Sequence, residues 1–315
     1  MATQQARGYK SAMTVDYEAS FGVAPGTKKG VVLPMNSNDL SKAQTLIESD
    51  TITNTRNDTQ PALGRVSVDG DIEMPADYMS SGYMFKALFG DPKTTGTAPN
   101  KTHVFTVKDT QPSIIVEKAF PDLGKYVRYK GVKINTFSVD YGQDNEMTFK
   151  FNVMGASREQ DGTAYDSAAK ASKLLRIAQN HAYVKIDGTE SRIVKEGSLE
   201  INANLDGDQY VVGGGGLRGD IPEGLMKVSG SLKALFTSTE WMDKADTGAA
   251  VAMEIGFQLD ANTSLVFAIP SVQFEPFDAQ ISGPAGVVVD VKWRAFSTDG
   301  KSIVTVTLKN QQEAY

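Results

Sequence analysis

Hydrophobic and polar residues alternate with a period of two along most of the chain. Such alternation places one set of side chains on each face of a β-strand and indicates a sheet with one buried face. It is clearest in residues 65–74, 146–153, 198–206 and 302–310. We therefore expect mainly β structure.

Turn and helix signals divide this pattern. Turns are predicted at residues 142–145 and at Asp299-Gly300, between alternating segments. Short helices are predicted over residues 78–89, with Asp77 as N-cap and Gly90 as stop, and over residues 238–245. A third is predicted over residues 166–179.

The two halves of the chain are similar to each other. Val68-Asp69-Gly70-Asp71-Ile72 aligns with Val228-Ser229-Gly230-Ser231-Leu232, about 160 residues later. The order strand, helix, hairpin, hairpin then occurs twice. The predicted hairpins are residues 103–108 with 113–120 and 132–141 with 146–153, matched by 252–258 with 264–269 and 272–280 with 287–295.

A tandem duplication accounts for this order. Its predicted parts are an N-terminal arm at residues 1–29, a first domain at 30–160, a partly helical linker at 161–180 and a second domain at 181–315. Each half also contains a long irregular segment, Ser49–Pro61 and Gly207–Pro222. Loops of this length in a compact domain are usually functional or disordered.

Composition excludes several classes of function. The 315 residues carry a formal net charge of −6, and residues 1–160 hold 18 acidic and 18 basic residues. No basic surplus exists to grip phosphates. The absence of Cys excludes disulfides, zinc–thiolate sites and Cys nucleophiles. Only His103 and His181 occur, so we interpret both as structural residues and expect no cofactor and no catalysis.

Targeting signals are equally sparse. The N-terminal residues lack an apolar core, so we expect no signal peptide. The apolar stretch at residues 249–255 contains Glu254 and is far shorter than the ~18 residues of a membrane helix. We expect no association with a membrane. We expect the protein to assemble in the cytoplasm.

Two motifs allow a chemical interpretation beside a plain one. Asp69, Asp71 and Glu73 lie on one face of a predicted strand. This group of carboxylates is compatible with a solvated face, with an acidic stripe that lines a channel, or with a calcium or catalytic site. The aligned Ser229, Ser231 and Lys233 do not keep the acidity, which argues against the metal or catalytic site. The glycine run 213–216 lacks the Lys-Ser/Thr of a phosphate loop and is interpreted as a flexible loop.

Weak sequence motifs follow one another in a fixed order along nearly the whole chain. They are Glu18-Ala19-Ser20-Phe21-Gly22-Val23-Ala24-Pro25, the strand SLEINAN at 198–204, DIPEG at 220–224, the strand at 228–236, Ile281-Ser282-Gly283-Pro284 and the final VTVTLKN at 304–310. With these motifs in this order, the chain resembles the two-domain phage major tail tube proteins.

The resemblance implies two tandem β-sandwich domains, each with one short flanking helix and a long loop. It further implies a ring of six domains, which three two-domain chains would form, and rings stacked into a tube through which DNA is ejected. Tape-measure, tail-terminator and tail-tip proteins would be partners, and the location would be the virion tail. The alternative is a tail-associated β-sandwich binding module, carbohydrate-binding or adhesin-like.

The candidate site residues follow from the period of two. Polar strand faces are predicted to line a lumen of net negative potential. The candidate residues are Glu200, Asn202, Asn204, Asp206, Thr148, Lys150, Asn152, Asp69, Asp71 and Glu73. The face at 198–206 is equally compatible with plain exposure to solvent. Their apolar neighbours Leu199, Ile201, Leu205, Met147, Phe149 and Phe151 are predicted to face the core. The long loops supply inter-ring candidates: Gly213, Gly214, Gly215, Gly216, Arg218, Asp220, Arg56 and Asp58.

Overall fold

The computed structural model describes residues 5–97, 99–298 and 300–315. These are 48% strand and 8% helix, which confirms a mainly β fold of the sandwich type. The first half contains β1 Ala12–Tyr17, β2 Val31–Leu33, β3 Ser37–Asn38, β4 Ser41–Ile47, β5 Ala62–Pro75, α1 Ser81–Phe89, β6 Lys93–Thr97, β7 Asn100–Thr106, β8 Ile114–Phe120, β9 Lys125–Tyr141, β10 Thr148–Gly155 and β11 Ser157–Asp161.

The second half follows a short connecting strand, β12 Lys170–Ala171. It contains β13 Ala182–Ile186, β14 Thr189–Glu190, β15 Val194–Asn202, β16 Lys227–Leu235, α2 Glu240–Thr247, β17 Val251–Gln258, β18 Ser264–Phe274, β19 Val288–Ala295 and β20 Thr305–Asn310. Single 3-10 turns lie at Gly8–Lys10, Pro121–Leu123 and Gln179–His181.

The same set of strand pairings occurs in both halves, and all of these pairings are antiparallel. The first half pairs β1 with β2 and β8, β9 with β8, β10 and β11, and β5 with β4 and β10. The second half pairs β13 with β14 and β17, β18 with β17, β19 and β20, and β16 with β15 and β19.

Strand β9 takes part in two sheets of the first half. Its first residues pair with β8 and β11, and its last residues pair with β10. The change of sheet falls at Gly131, whose φ of +64° is the left-handed region that favours glycine. Glu18 stabilises this bend, since its Oε1 accepts the Gly131 N–H at 2.8 Å and its Oε2 accepts the Ser113 hydroxyl at 2.6 Å. Burial raises the pKa of Glu18.

Two further pairings join the halves. Strand β9 pairs with β15, and β7 pairs with β20. The first of these produces one continuous antiparallel sheet in the order β4, β5, β10, β9, β15, β16, β19, which we call the shared sheet.

An aromatic cluster lies beneath the shared sheet. Phe85 of α1 is fully buried and has its ring centroid 5.3 Å from that of Phe137 and 5.8 Å from that of Phe267. Phe137 belongs to the first half and Phe267 to the second, and their rings stack with centroids 5.7 Å apart. The two halves therefore share part of one hydrophobic core.

The two short helices form close to where the sequence predicts them. Asp77 Oδ1 accepts the Ser80 N–H at 2.7 Å, and Gly90, with φ +88°, ends α1. The helix starts at Ser81 rather than at residue 78, and its N-cap is Ser80 instead of the predicted Asp77. Helix α2 begins two residues later than predicted, at Glu240.

The predicted helix over residues 166–179 is wrong. The backbone there bonds to the first half instead: Ser172 N–H donates to Val32 O and Ile177 N–H to Ala76 O, and β12 pairs in parallel with β2. Asp166 Oδ2 also accepts the Gly30 N–H at 3.0 Å. These bonds hold the segment extended along the first sandwich and replace the i to i−4 bonds that a helix needs.

Two other predictions need correction. The predicted hairpin of residues 103–108 with 113–120 is absent, because β7 pairs with β6 and β20 while β8 pairs with β1 and β9. The predicted arm at residues 1–29 contains β1, which pairs with β2 and β8, and Met13 and Val15 of this strand are buried. Two predicted features lie partly outside the described residues. They are the turn at Asp299-Gly300, of which Asp299 is not described, and the N-terminal arm, of which residues 1–4 are not described.

Candidate functional site

One face of the shared sheet is polar from edge to edge. The register places directly opposed residues in one row that crosses six strands and another that crosses five. The central row is Glu73, Lys150, Ser138, Glu200, Ser229 and Arg294. The next row is Asp71, Asn152, Thr136, Asn202 and Lys227. We call this surface the polar face.

The opposite side of the same strands is apolar and buried, as the alternation predicts. All six apolar residues expected to face the core are buried: Leu199, Ile201, Leu205, Met147, Phe149 and Phe151. The sandwich interior thus fixes the orientation of the polar face, which has to point away from it.

The predicted lumen candidates on β5, β10 and β15 come together on the polar face. These are Asp69, Asp71, Glu73, Thr148, Lys150, Asn152, Glu200 and Asn202. Sequence reasoning did not single out β9, whose Thr136, Ser138 and Asp140 complete the face between β10 and β15. The same alternation in residues 134–141 was the available signal.

Charge is unevenly distributed over the polar face. The part built by β5, β9 and β10 carries four carboxylates, on Asp69, Asp71, Glu73 and Asp140, and two ammonium groups, on Lys150 and the buried Lys133. Asp69 is paired with Arg218, which leaves three of the carboxylates against these two cations. On the part built by β15, β16 and β19, acids and bases are mixed, and Glu196 lies 3.9 Å from Lys233. Arg294 also pairs with Glu275, Nε to Oε1 at 2.8 Å. The excess of negative charge therefore lies on the first half.

Asn204 and Asp206 are not strand residues, which corrects the predicted strand 198–206. Strand β15 ends at Asn202, and Asn204 adopts a φ of +47°. Asn135 binds the backbone of this segment: its carbonyl accepts the Ala203 N–H, and its Oδ1 accepts the Leu205 N–H at 3.0 Å. Asp206 Oδ1 accepts the Asp208 N–H in the loop that follows.

That loop lies on the first half of the chain. Val66 N–H donates to the Gly216 carbonyl, and the Tyr210 hydroxyl donates to the Val66 carbonyl at 3.0 Å. The Arg65 guanidinium lies over the Tyr210 ring, 4.7 Å from its centroid. The segment predicted as a free flexible loop is therefore bonded along β5 within one subunit.

Arg218 is the main anchor of the loop. Its side chain is buried, and its Nη1 donates to the carbonyls of Val68 and Gly155 and to Asp69 Oδ1, at 3.1, 2.9 and 2.9 Å. Its Nε donates to the Gly207 carbonyl. Placing Arg218 among the inter-ring contacts was wrong, because its guanidinium is occupied inside the subunit.

The other loop candidates lie at or near the surface. Arg56 and Asp58 are exposed within the β4–β5 connection, beside Ile52. Gly213 and Gly215 are exposed, Gly214 and Gly216 less so at the edge of the docked loop. Asp220 is also exposed, with Oδ1 3.7 Å from Lys133 Nζ. The 207–222 loop lies against the start of β5, since Arg65 Nη1 is 3.6 Å from Asp208 Oδ1.

The carboxylates of β5 are engaged in ways that suit a sheet surface. Asp69 accepts from Arg218, and Asp71 Oδ1 accepts from Asn152 Nδ2 at 2.7 Å. Over the residues that the structure describes, no group of three or more acidic or His side chains is placed to hold a metal ion. Nor does any described helix have the length and apolar character needed to cross a membrane.

The histidines and tryptophans have structural positions. His103 is fully buried between Thr94 and Gln312, and Trp293 is buried against Gly230. Trp241 is partly buried, with its ring centroid 5.6 Å from that of Phe274. The position of His103 agrees with its interpretation as a structural residue.

Comparison with protein families decides between the two classes considered from the sequence. A family model described as phage tail tube protein matches residues 8–295. The chain belongs to the phage tail tube protein family. A search of curated proteins finds no match. The family is one of structural proteins, so this tail tube protein has a structural role in the virion tail, and the polar face and docked loops are the surfaces through which that role has to be explained.

Proposed function

We propose that three copies of this tail tube protein form a ring whose pore is lined by the polar faces of their shared sheets, and that rings stack into the tube that conducts DNA. The observation that carries the proposal is the continuous polar face, which runs across both halves of the chain without interruption. A subunit that brings two sandwiches side by side in one sheet supplies two-sixths of a six-domain ring.

A tandem duplication underlies this arrangement. Seven strand pairings of the first half each have a counterpart in the second, and Ile72 opposite Phe151 corresponds to Leu232 opposite Val291. The pairing of β6 with β7 has none. Helices α1 and α2 follow β5 and β16 at equivalent places. Domains at residues 30–160 and 181–315, joined by the extended segment between them, are the units that we propose.

The charge of the polar face suits passage of DNA. Double-stranded DNA carries about one negative charge per 1.7 Å of axis, so a basic wall would hold it. The excess of carboxylates on β5 and β9 would repel phosphates, and two second-half cations on this face, Lys233 and Arg294, are offset by ion pairs with Glu196 and Glu275. Lys150 lies directly opposite Glu73, which offsets its charge.

Stacking of rings is assigned to the two long loops. Both carry exposed apolar residues, Ile52 on one and Val212 on the other, which gain from burial in a contact between rings. Arg56, Asp58, Asp220 and the glycines 213–216 are the polar and flexible parts of this surface. Tape-measure, tail-terminator and tail-tip proteins are the further partners that such a tube requires in the virion, after assembly in the host cytoplasm.

Negative-stain electron microscopy of the purified protein tests the proposal. We expect rings or tubes with three-fold symmetry and six density lobes around a central hole. A protein that stays monomeric under all assembly conditions, and binds a carbohydrate or a surface receptor instead, would overturn the proposal in favour of a tail-associated binding module.

A further inference from the structure

The junction between the two halves is a strand pairing with a defined register. Ser138 of β9 lies opposite Glu200 of β15, Phe137 opposite Ile201, and Val139 opposite Leu199. Since the rest of the pairing pattern occurs twice, this junction has an expected counterpart: the second-half equivalent of β9 next to the first-half equivalent of β15.

The second-half equivalent of β9 is β18 with the residues that follow it. In β9, Ile134, Phe137 and Val139 face the core, with two residues between the first and second of them. The same spacing recurs in Phe274, which is buried, and in Phe277 and Ala279, which contact the core.

Within the subunit this segment bonds to β19 at its start, where the Glu275 N–H donates to the Lys292 carbonyl at 2.8 Å, and it forms no strand beyond that bond. Strand β18 ends at Phe274, and residues 275–287, all of which the structure describes, belong to no strand. Ile281, at the position of the buried Tyr141, is 85% exposed. The segment has the side-chain alternation of a strand and lacks a neighbour on its far side.

The first-half equivalent of β15 is β3 together with β4. Ser41 lies opposite Asp69 as Glu200 lies opposite Ser229. Leu40 packs on Gly70, where any added Cβ would meet its backbone, just as Leu199 lies opposite Gly230. Among the described residues β3 and β4 pair only with β5, so their outer edge is open.

We propose that residues 276–281 of one copy pair antiparallel with residues 38–43 of the next copy, in the register of the internal junction. Asp278 then lies opposite Ser41, and Phe277 opposite Lys42. This inference rests on the ring proposed above and names the contact that closes it. The occupant of the open edge is thus a second copy of this chain, joined by backbone hydrogen bonds.

The open edge is protected in the single subunit. Lys118 Nζ donates to the carbonyls of Asn38 and Leu40 at 2.8 and 2.7 Å. A lysine at an exposed edge hinders indiscriminate strand pairing. On assembly the backbone N–H groups of the neighbour replace the ammonium at these carbonyls, and Ile281 becomes buried where Tyr141 is buried at the internal junction.

Engineered cysteines test the register, because the natural chain has none. The double variant Ser41→Cys, Asp278→Cys is assembled under reducing conditions, imaged, then oxidised and run on a non-reducing gel. We expect loss of the monomer band and appearance of covalent dimer and closed trimer. Ser41→Cys with Ala279→Cys is the matched control: Ala279 points to the other face, so little cross-linking is expected.

Two more variants keep the outcomes distinct. Ser138→Cys with Glu200→Cys should form an internal cross-link and leave the oligomer mass unchanged. Ile281→Asp should fold as a subunit, since Ile281 is exposed there, and lose ring formation. The register would be overturned, with the ring itself left in place, by either of two results. One is rings of the Ser41→Cys, Asp278→Cys variant and of its Ala279→Cys control that form without a cross-link between copies. The other is rings formed by Ile281→Asp. Absence of rings in the wild-type protein would overturn the ring and this contact together.

Discussion

Arg218 of the second half forms an ion pair with Asp69 of the first half, with Nη1 2.9 Å from Oδ1. The exposed fraction of Arg218 is 8%. The same nitrogen bonds to the carbonyls of Val68 and Gly155, which lie opposite each other on β5 and β10. One side chain thus ties the long loop, β5 and β10 together.

Removing this anchor should weaken the subunit. Arg218→Ala leaves two buried carbonyls and Asp69 without their donor, and loss of one member of a buried ion pair typically costs about 3–5 kcal/mol. Because Asp69 is partly exposed, we expect on the order of 3 kcal/mol, measured by urea unfolding. Arg56→Ala is the control, since Arg56 is exposed in the other loop. Equal unfolding free energies for the two variants would contradict the assignment.

The aromatic cluster predicts that the two halves unfold together. Phe85 is fully buried and contacts rings from both halves, so Phe85→Ala should cost about 3–5 kcal/mol. Near-ultraviolet and far-ultraviolet circular dichroism should report one shared transition in the wild type. Phe296→Ala, at an exposed position, should have little effect. Two separate transitions in the wild type would show that the halves fold independently.

His103 predicts a loss of stability at acid pH. Its Nε2–H donates to the Gln312 carbonyl and its Nδ1 accepts the Thr94 hydroxyl, so the neutral ring is fully bonded. Burial lowers the pKa of His103 below 6.5. Below pH 6.5 the unfolded chain therefore takes up a proton that the folded chain refuses, and stability falls with falling pH until the folded pKa is reached.

The measurement is the free energy of unfolding in urea between pH 7.5 and 5. The His103→Gln variant should lose this part of the pH dependence, although its stability at pH 7.5 is also lower. A wild-type protein with the same slope as His103→Gln over this range would show that the ring takes up its proton in the folded state.

Alternation was sufficient to predict the polar sides of β5, β10 and β15, because burial of Phe149, Phe151 and Leu199 leaves their neighbours only one side. It did not predict that β9 joins these strands into one face. The limits of this reasoning are visible at Asn204 and in the linker. Asn204 keeps the alternation, yet Asn135 draws the backbone out of the ladder. Residues 166–179 have good helix composition, but their N–H groups bond to the first sandwich, and tertiary contacts outweigh propensity.

The role of Arg218 was also hidden from the sequence. Its partners Val68 and Gly155 are backbone carbonyls some 60 to 150 residues away, and no local spacing reports such contacts. The pairing of β7 with β20 is hidden for the same reason. By contrast, the Glu18 motif that carries the family resemblance has a physical basis, since Glu18 stabilises the bend of β9 at Gly131.

Reversing charge on the polar face should slow DNA passage. The variant Glu73→Lys, Glu200→Lys places two cations in the central row, and we expect tubes to form while ejection slows, more so at low salt where screening is weaker. Asp109→Lys with Asp246→Lys makes the same charge change at exposed positions away from this face. Equal ejection rates for both variants in a light-scattering or dye-release assay would argue against a pore-facing sheet.

A cryo-electron microscopy reconstruction of the assembled tube tests the central claim most directly. We predict three copies per ring, with Ser138 and Glu200 side by side on the pore wall and both halves of each chain contributing to it. Six copies per ring with one half of each at the pore, or a polar face on the outer surface of the tube, would contradict this account.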